Sequence, residues 1–194
     1  TMRIESFFHE ATSTLTYLVS DKETRDALVI DAVLDYDAQE SVVSTESVDA
    51  LAARIREQDL RLLYILDTHV HADHMTGSEA LKKHFPDARV AIGARITDVQ
   101  KLFGQVFALE DTFAPDGRQF DLLLADGETL KAGNLEVEVM HTPGHTPACA
   151  SYKIEDAVFT GDALFMPDYG TGRCDFPAGS AEMLYESINR LYEL

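Results

Sequence analysis

Apolar residues recur along this chain in two rhythms, and the switches between them mark out its elements. The first third is β-rich: RIESFFHE, STLTYLVS and DALVIDAV read as strands separated by polar turns, with Asp21–Thr24 as a hairpin connection. The stretch from Leu34 to Ser47 has no clean period and reads as an exposed excursion. Ser47 is then expected to cap a helix in which Val48, Leu51, Ala52 and Ile55 share one face. RLLYIL, from Arg61 to Leu66, is a continuous apolar run and predicts a buried strand. Thr76-Gly-Ser-Glu79 has the form of a capping box opening the helix SEALKKHF.

The rest continues in short pieces. ARVAIG predicts a strand, ARITDVQKLFG a helix closed by Gly104, and residues 105–121 a loop. DLLLADGETLKAG and NLEVEVMHT predict strands with turns at Asp126-Gly127 and Gly133-Asn134. ACASYKIEDAVFTGDALF predicts a strand pair turning at Glu155-Asp156. SAEMLYESINRLYEL closes as a helix with Ala181, Leu184, Ile188 and Leu191 along one side. Strands bunched at both ends fit two face-to-face sheets with outer helices better than a parallel βαβ alternation. The expected fold is α+β, a four-layer αββα sandwich, with residues 1–194 forming a single domain.

Composition changes this picture only at its edges. A formal charge of −18 argues against nucleic acid or an anionic membrane as partner. No apolar run approaches the roughly 18 residues of a membrane span, and no secretory leader opens the chain. Thr1 ahead of Met2 reads as a cloning remnant. The two cysteines, Cys149 and Cys174, offer no disulfide framework and read as structural thiols, so a cytoplasmic location is expected.

Chemistry concentrates in DTHVHADHMTG. Asp67, His69, His71, Asp73 and His74 fall within eight positions, between a strand end and a helix start. On extended backbone His69, His71 and Asp73 lie on one side, while His74 points elsewhere. Imidazole with carboxylate suits zinc or iron(II) better than calcium or magnesium. Asp31 also ends a strand, and could reach a site or serve a turn. Two later segments repeat the arrangement of a polar residue just after a strand. In MHTPGHTPA, Pro143 and Pro147 restrict the backbone and Gly144 permits positive φ; His145 at the tip is preferred over His141. VFTGDALF places Asp162 after an apolar strand.

THVHADH, TPGHT and TGDAL, in that order, resemble the metallo-β-lactamase fold superfamily. A narrower set is AVLDYD near Tyr36, AIGARITDVQ, HTPGHTPAC and, above all, LFMPDYGTGRCDFP. It is similar to the persulfide dioxygenases, also called sulfur dioxygenases or ETHE1-like proteins, in their bacterial branch. The resemblance implies one iron(II) per chain on His69, His145 and Asp162, with open positions for chemistry. His71, Asp73 and His74 would then surround the metal without binding it, orienting its ligands. The implied reaction oxidises glutathione persulfide with O₂ to sulfite and glutathione. Arg173 is the candidate for a substrate carboxylate, with Tyr169 beside it and pairing to Asp168 or Asp175 as the competing role. A homodimer, and a sulfurtransferase supplying the persulfide, are both compatible with this reading. Against that family the chain reads as lacking its C-terminal part, including a further His in a GHxY or HDY segment.

The same residues allow a zinc-dependent thioester hydrolase of the glyoxalase II type. His69, His71 and His145 would hold one zinc, Asp73 and His74 a second, and Asp162 would bridge them. A third reading is a non-catalytic metal-binding module. The MPDYGTGRCDF segment and the missing last His favour the dioxygenase.

Overall fold

A computed structural model describes residues 1–37, 39–70, 76–106 and 116–194. The chain divides into two compact units, Thr1–Ala91 with Lys131–Glu136, and Ile92–Leu130 with Val137–Leu194.

The first unit begins with β1 (Met2–His9) and β2 (Thr14–Asp21), antiparallel along their whole length. β3 (Asp26–Ile30) has all five residues buried, and pairs antiparallel with β2 and parallel with β6 (Arg61–Asp67). A strand buried on both faces has apolar residues at successive positions, which is why DALVI is nearly a continuous apolar run. The crossover between β3 and β6 carries β4 (Asp35–Asp37), β5 (Val42–Ser44) and α1 (Glu46–Glu57). α1 buries Val48, Leu51, Ala52 and Ile55, the face expected from its period, at about 1.5–3 kcal/mol for each large side chain. α2 (Ser78–His84) follows β6, and β7 (Arg89–Gly93) comes next.

In the second unit come α3 (Ile96–Val106), β8 (Leu122–Leu124), β11 (Ala150–Ile154) and β12 (Ala157–Phe159), while β9 (Thr129–Ala132) and β10 (Leu135–His141) have residues in each unit. A 3-10 turn at Gly161–Ala163 and α4 (Ala181–Tyr192) complete the described elements. Ile92, Ile96, Val99 and Ala148 form a buried cluster, with Phe120 and Leu123 against it. One sheet has the order β1-β2-β3-β6-β7-β8, another β12-β11-β10-β9, and β4 pairs with β5 alone. With four α-helices among the described residues, this is the mixed α+β composition expected, not an alternating βαβ chain. No helix of the described residues is long and apolar enough to cross a membrane.

Four local expectations need correction. The excursion from Leu34 holds a hairpin, β4–β5, with Val42 and Val43 exposed; no face of it is buried, so no period shows. Ser47 is not a cap: it lies inside α1, donating its N–H and hydroxyl to Asp35 at 2.8 and 2.6 Å. The capping box does not form, because α2 starts from Gly77 and the Thr76 hydroxyl is drawn to Asp67 instead. Gly104 does not end α3, which continues to Val106. Ser180 does cap α4, accepting from the Met183 N–H at 3.2 Å.

Candidate functional site

β6 delivers Asp67, Thr68 and His69 in succession, all buried. Asp31 leaves β3 with φ 56°, a left-handed conformation that Asp tolerates better than most residues, and its N–H donates to Leu66 O. This turn brings its carboxylate onto Thr68, accepting from the Thr68 N–H and the Thr68 hydroxyl, each at 2.8 Å. With its proton given to Asp31, the Thr68 oxygen accepts from His69 Nδ1 at 3.0 Å. The relay holds the His69 tautomer whose Nε2 carries the lone pair, the form a metal ligand needs. Asp31 therefore serves the neighbour of His69 and is more than a turn residue.

Asp67 has a different task. Its carboxylate takes the hydroxyls of Thr76 at 3.2 Å and Ser78 at 2.8 Å, fastening the start of α2. Gly77 N–H donates to Ala32 O and Thr76 bridges Val33, so the chain re-enters the described structure beside the end of β3. The expected outer residues His71, Asp73 and His74 lie outside the described residues.

In the second unit His145 sits on the loop after β10. Gly144 takes φ 142°, and a Cβ there would lie 2.4 Å from Leu184, so α4 packs against bare backbone. His141 stays at the strand end and donates from Nε2 to Pro147 O at 2.9 Å, closing the loop. Cys149 Sγ accepts from the N–H of Thr146 at 3.3 Å, an inward, packing role. His145 Nδ1 donates to Arg173 O at 2.6 Å, again leaving Nε2 as the nitrogen that can bind. That Nε2 lies 3.5 Å from Asp162 Oδ2, so His145 and Asp162 present donor atoms to one place.

The segment after Asp162 surrounds this pair. Arg173 grips Asp175 with two hydrogen bonds, at 2.6 and 2.7 Å, the structural pairing that competes with a substrate-binding role. The contact holds the Asp175 carboxyl down to about 2, chiefly through the Arg173 hydrogen bonds, and raises the guanidinium in turn. Arg173 also lies over the Phe176 ring at 4.8 Å, leaving its other face to solvent. Tyr169 is 78% exposed at the tip of a turn in which Gly170 takes φ 77°. Cys174 is half-buried.

Thr68, Gly172 and Phe176 escaped the sequence reading. Thr68 is recognisable only once Asp31 is seen beside it, and nothing in the sequence distinguishes Phe176 from a packing residue. The donor chemistry is nonetheless clear: two imidazoles fixed through Nδ1 and one carboxylate fit a borderline divalent metal such as iron(II) or zinc.

Residues 10–194 match the family model of the metallo-beta-lactamase superfamily. The chain is similar to a probable metallo-hydrolase of Burkholderia pseudomallei, 46% identical over 100% of this chain and 69% of the relative. Glyoxylase B2 of Dictyostelium discoideum is 47% identical over 99% of this chain and 66% of its own length. The mitochondrial persulfide dioxygenase ETHE1 of Homo sapiens is 35% identical over 96% and 61%. Among solved structures, ETHE1 from Myxococcus xanthus superposes with a TM-score of 0.75 at 35% identity, over 97% of this chain and 69% of that one. The chain thus spans roughly two thirds of the length of these relatives.

Proposed function

From its membership of the metallo-β-lactamase superfamily, whose fold it has, we propose that the chain is the metal-dependent core of a persulfide dioxygenase. His69, His145 and Asp162 would hold one iron(II), two buried imidazoles and a half-buried carboxylate each offering one ligand atom. In this reading residues 1–194 act as one domain. The observation that carries the reading is the donor set itself: two His and one carboxylate, the set found in non-haem iron(II) oxygenases. Likeness to a relative named persulfide dioxygenase, over 96% of the chain, supports it.

When bound, iron(II) on such a triad supplies open positions at which O₂ and a sulfur can be brought together. One persulfide, one O₂ and one water give one thiol, one sulfite and two protons. The chain's own residues do the holding. Thr68 and the Arg173 carbonyl keep both imidazoles in the tautomer whose Nε2 carries the lone pair. Asp162 supplies the negative charge that a divalent ion needs. Glutathione persulfide is anionic, and in a chain of net charge −18 its carboxylates need a local cation. Arg173 is that candidate, reaching a carboxylate by the guanidinium edge not engaged by Asp175, with Tyr169 as hydrogen-bonding neighbour. A homodimer and a sulfurtransferase donor are compatible additions.

A second reading, zinc-dependent thioester hydrolysis, is favoured by the relatives at 46% and 47% identity, whose names are those of a metallo-hydrolase and a glyoxylase. Parallel assays separate the two. The proposal expects O₂ uptake with sulfite release from glutathione persulfide, and little hydrolysis of a glutathione thioester. Thioester hydrolysis without O₂ uptake would replace it with the zinc enzyme.

A further inference from the structure

Between Asp162 and α4 the chain touches both ligands of the second unit. Gly172 N–H donates to Asp162 O at 3.0 Å, and a Cβ at 172 would lie only 2.3 Å from that oxygen. Arg173 O then accepts from the His145 ring, and Phe176 meets the same ring edge-on, with centroids 5.2 Å apart at 88°. Beyond Phe176 the segment is tied back. Gly179 N–H donates to Phe176 O at 2.7 Å, and Ser180 N–H to Gly144 O at 2.9 Å, the residue next to His145. The main chain thus closes a circuit from Asp162 through Gly172 to Ser180 and back to His145.

We propose that Gly172 and Phe176 are positioning residues, the two contact points of a strap that sets the geometry between Asp162 and His145. This rests on the reading that those two side chains bind the metal. Gly172 lets the strap lie on the Asp162 main chain more closely than any side chain permits. The Phe176 ring limits rotation of the imidazole about the hydrogen bond to Arg173 O, and the Arg173 guanidinium over that ring keeps it in place. Neither residue supplies a ligand atom; each acts through the residue it touches.

The test uses the whole chain stripped of metal and titrated with cobalt(II), comparing wild type with Gly172→Ala, Phe176→Leu and Phe176→Tyr. The strap predicts cobalt(II) affinity lower by about 10-fold in the first two, within the 10–100-fold range for outer partners of metal ligands. It also predicts an altered visible spectrum in both, and recovery of affinity and spectrum in Phe176→Tyr, which keeps the ring. Nitrogen NMR of the metal-free protein should show His145 protonated at Nδ1 in wild type and exchanging between tautomers in Phe176→Leu. Wild-type affinity and spectrum in both damaged variants overturns the proposal. So does a weakened affinity that follows the urea midpoint and is not restored by Phe176→Tyr, since that marks plain packing. A wild type that takes up no cobalt(II) is a separate failure, of the ligand set, and removes the strap's role with it.

Discussion

In the unit of Thr1–Ala91 and Lys131–Glu136, the turns are held by carboxylates. Asp21 accepts the N–H of Glu23 and of Asn134, Asp35 that of Ser47, and Asp31 that of Thr68. In the other unit, around His145, main-chain carbonyls do the same work. Arg173 O, Pro147 O, Asp162 O and Gly144 O take protons from His145, His141, Gly172 and Ser180. Charged acceptors bind more strongly but titrate, and one substitution removes them. A carbonyl neither titrates nor disappears on mutation; it can only be displaced. The two units should therefore fail under different insults.

The largest expected effect comes from Asp162→Ala, which takes away the one carboxylate of the proposed ligand set. Metal content and turnover should both fall beyond the roughly 10–100-fold cost of losing an outer partner. Full iron occupancy in this variant would mean that the ligand set is misassigned. Next comes the contrast between the two imidazole supports. Thr68→Val deletes the acceptor of His69 Nδ1 and should weaken metal binding by about 10–100-fold. Arg173→Ala retains the carbonyl that serves His145 but loses the guanidinium over Phe176, so metal affinity should fall less than in Thr68→Val while KM for an anionic persulfide rises. The opposite ranking in a metal titration would erase the distinction between the supports.

Acid sharpens the comparison further. The N–H groups of Glu23 and Asn134 hold the Asp21 carboxyl down to about 2 from its ordinary 3.8. For Asp35, burial pushes the carboxyl up, but the Ser47 and His9 hydrogen bonds outweigh it and the net shift is downward. A depressed carboxylate contributes stability above its unfolded value, and that contribution is lost as pH falls through the folded one. Between pH 3.8 and about 2, amide protection at Glu23 and Asn134 should fall, while Gly172 and Ser180 keep theirs. Hydrogen exchange read residue by residue checks this, and earlier loss at Gly172 would contradict it. The smallest effect is that of Asp175→Asn: its pair with Arg173 is about two-thirds exposed, so the unfolding midpoint should barely move.

What the sequence made legible follows the same line. Periodic features were readable, because burial imposes a period: the α1 face and the strand pairs are where the pattern puts them. His145 at the loop tip beside a positive-φ Gly144 was also legible, since prolines and glycine restrict backbone locally. Competition between polar groups was not. Thr76 has the form of a cap, yet Asp67, nine residues earlier, takes its hydroxyl. Ser47 likewise has the form of a cap, yet Asp35 takes its N–H and hydroxyl. Carbonyl supports are invisible in principle, since every residue has a carbonyl and only the fold decides which one meets His145.

The most direct test of the central claim is metal content by elemental analysis on protein purified without added metal. About one iron per chain, lost in Asp162→Ala, is the result expected of a triad of His69, His145 and Asp162. About two zinc per chain would contradict it and leave a binuclear hydrolase in its place.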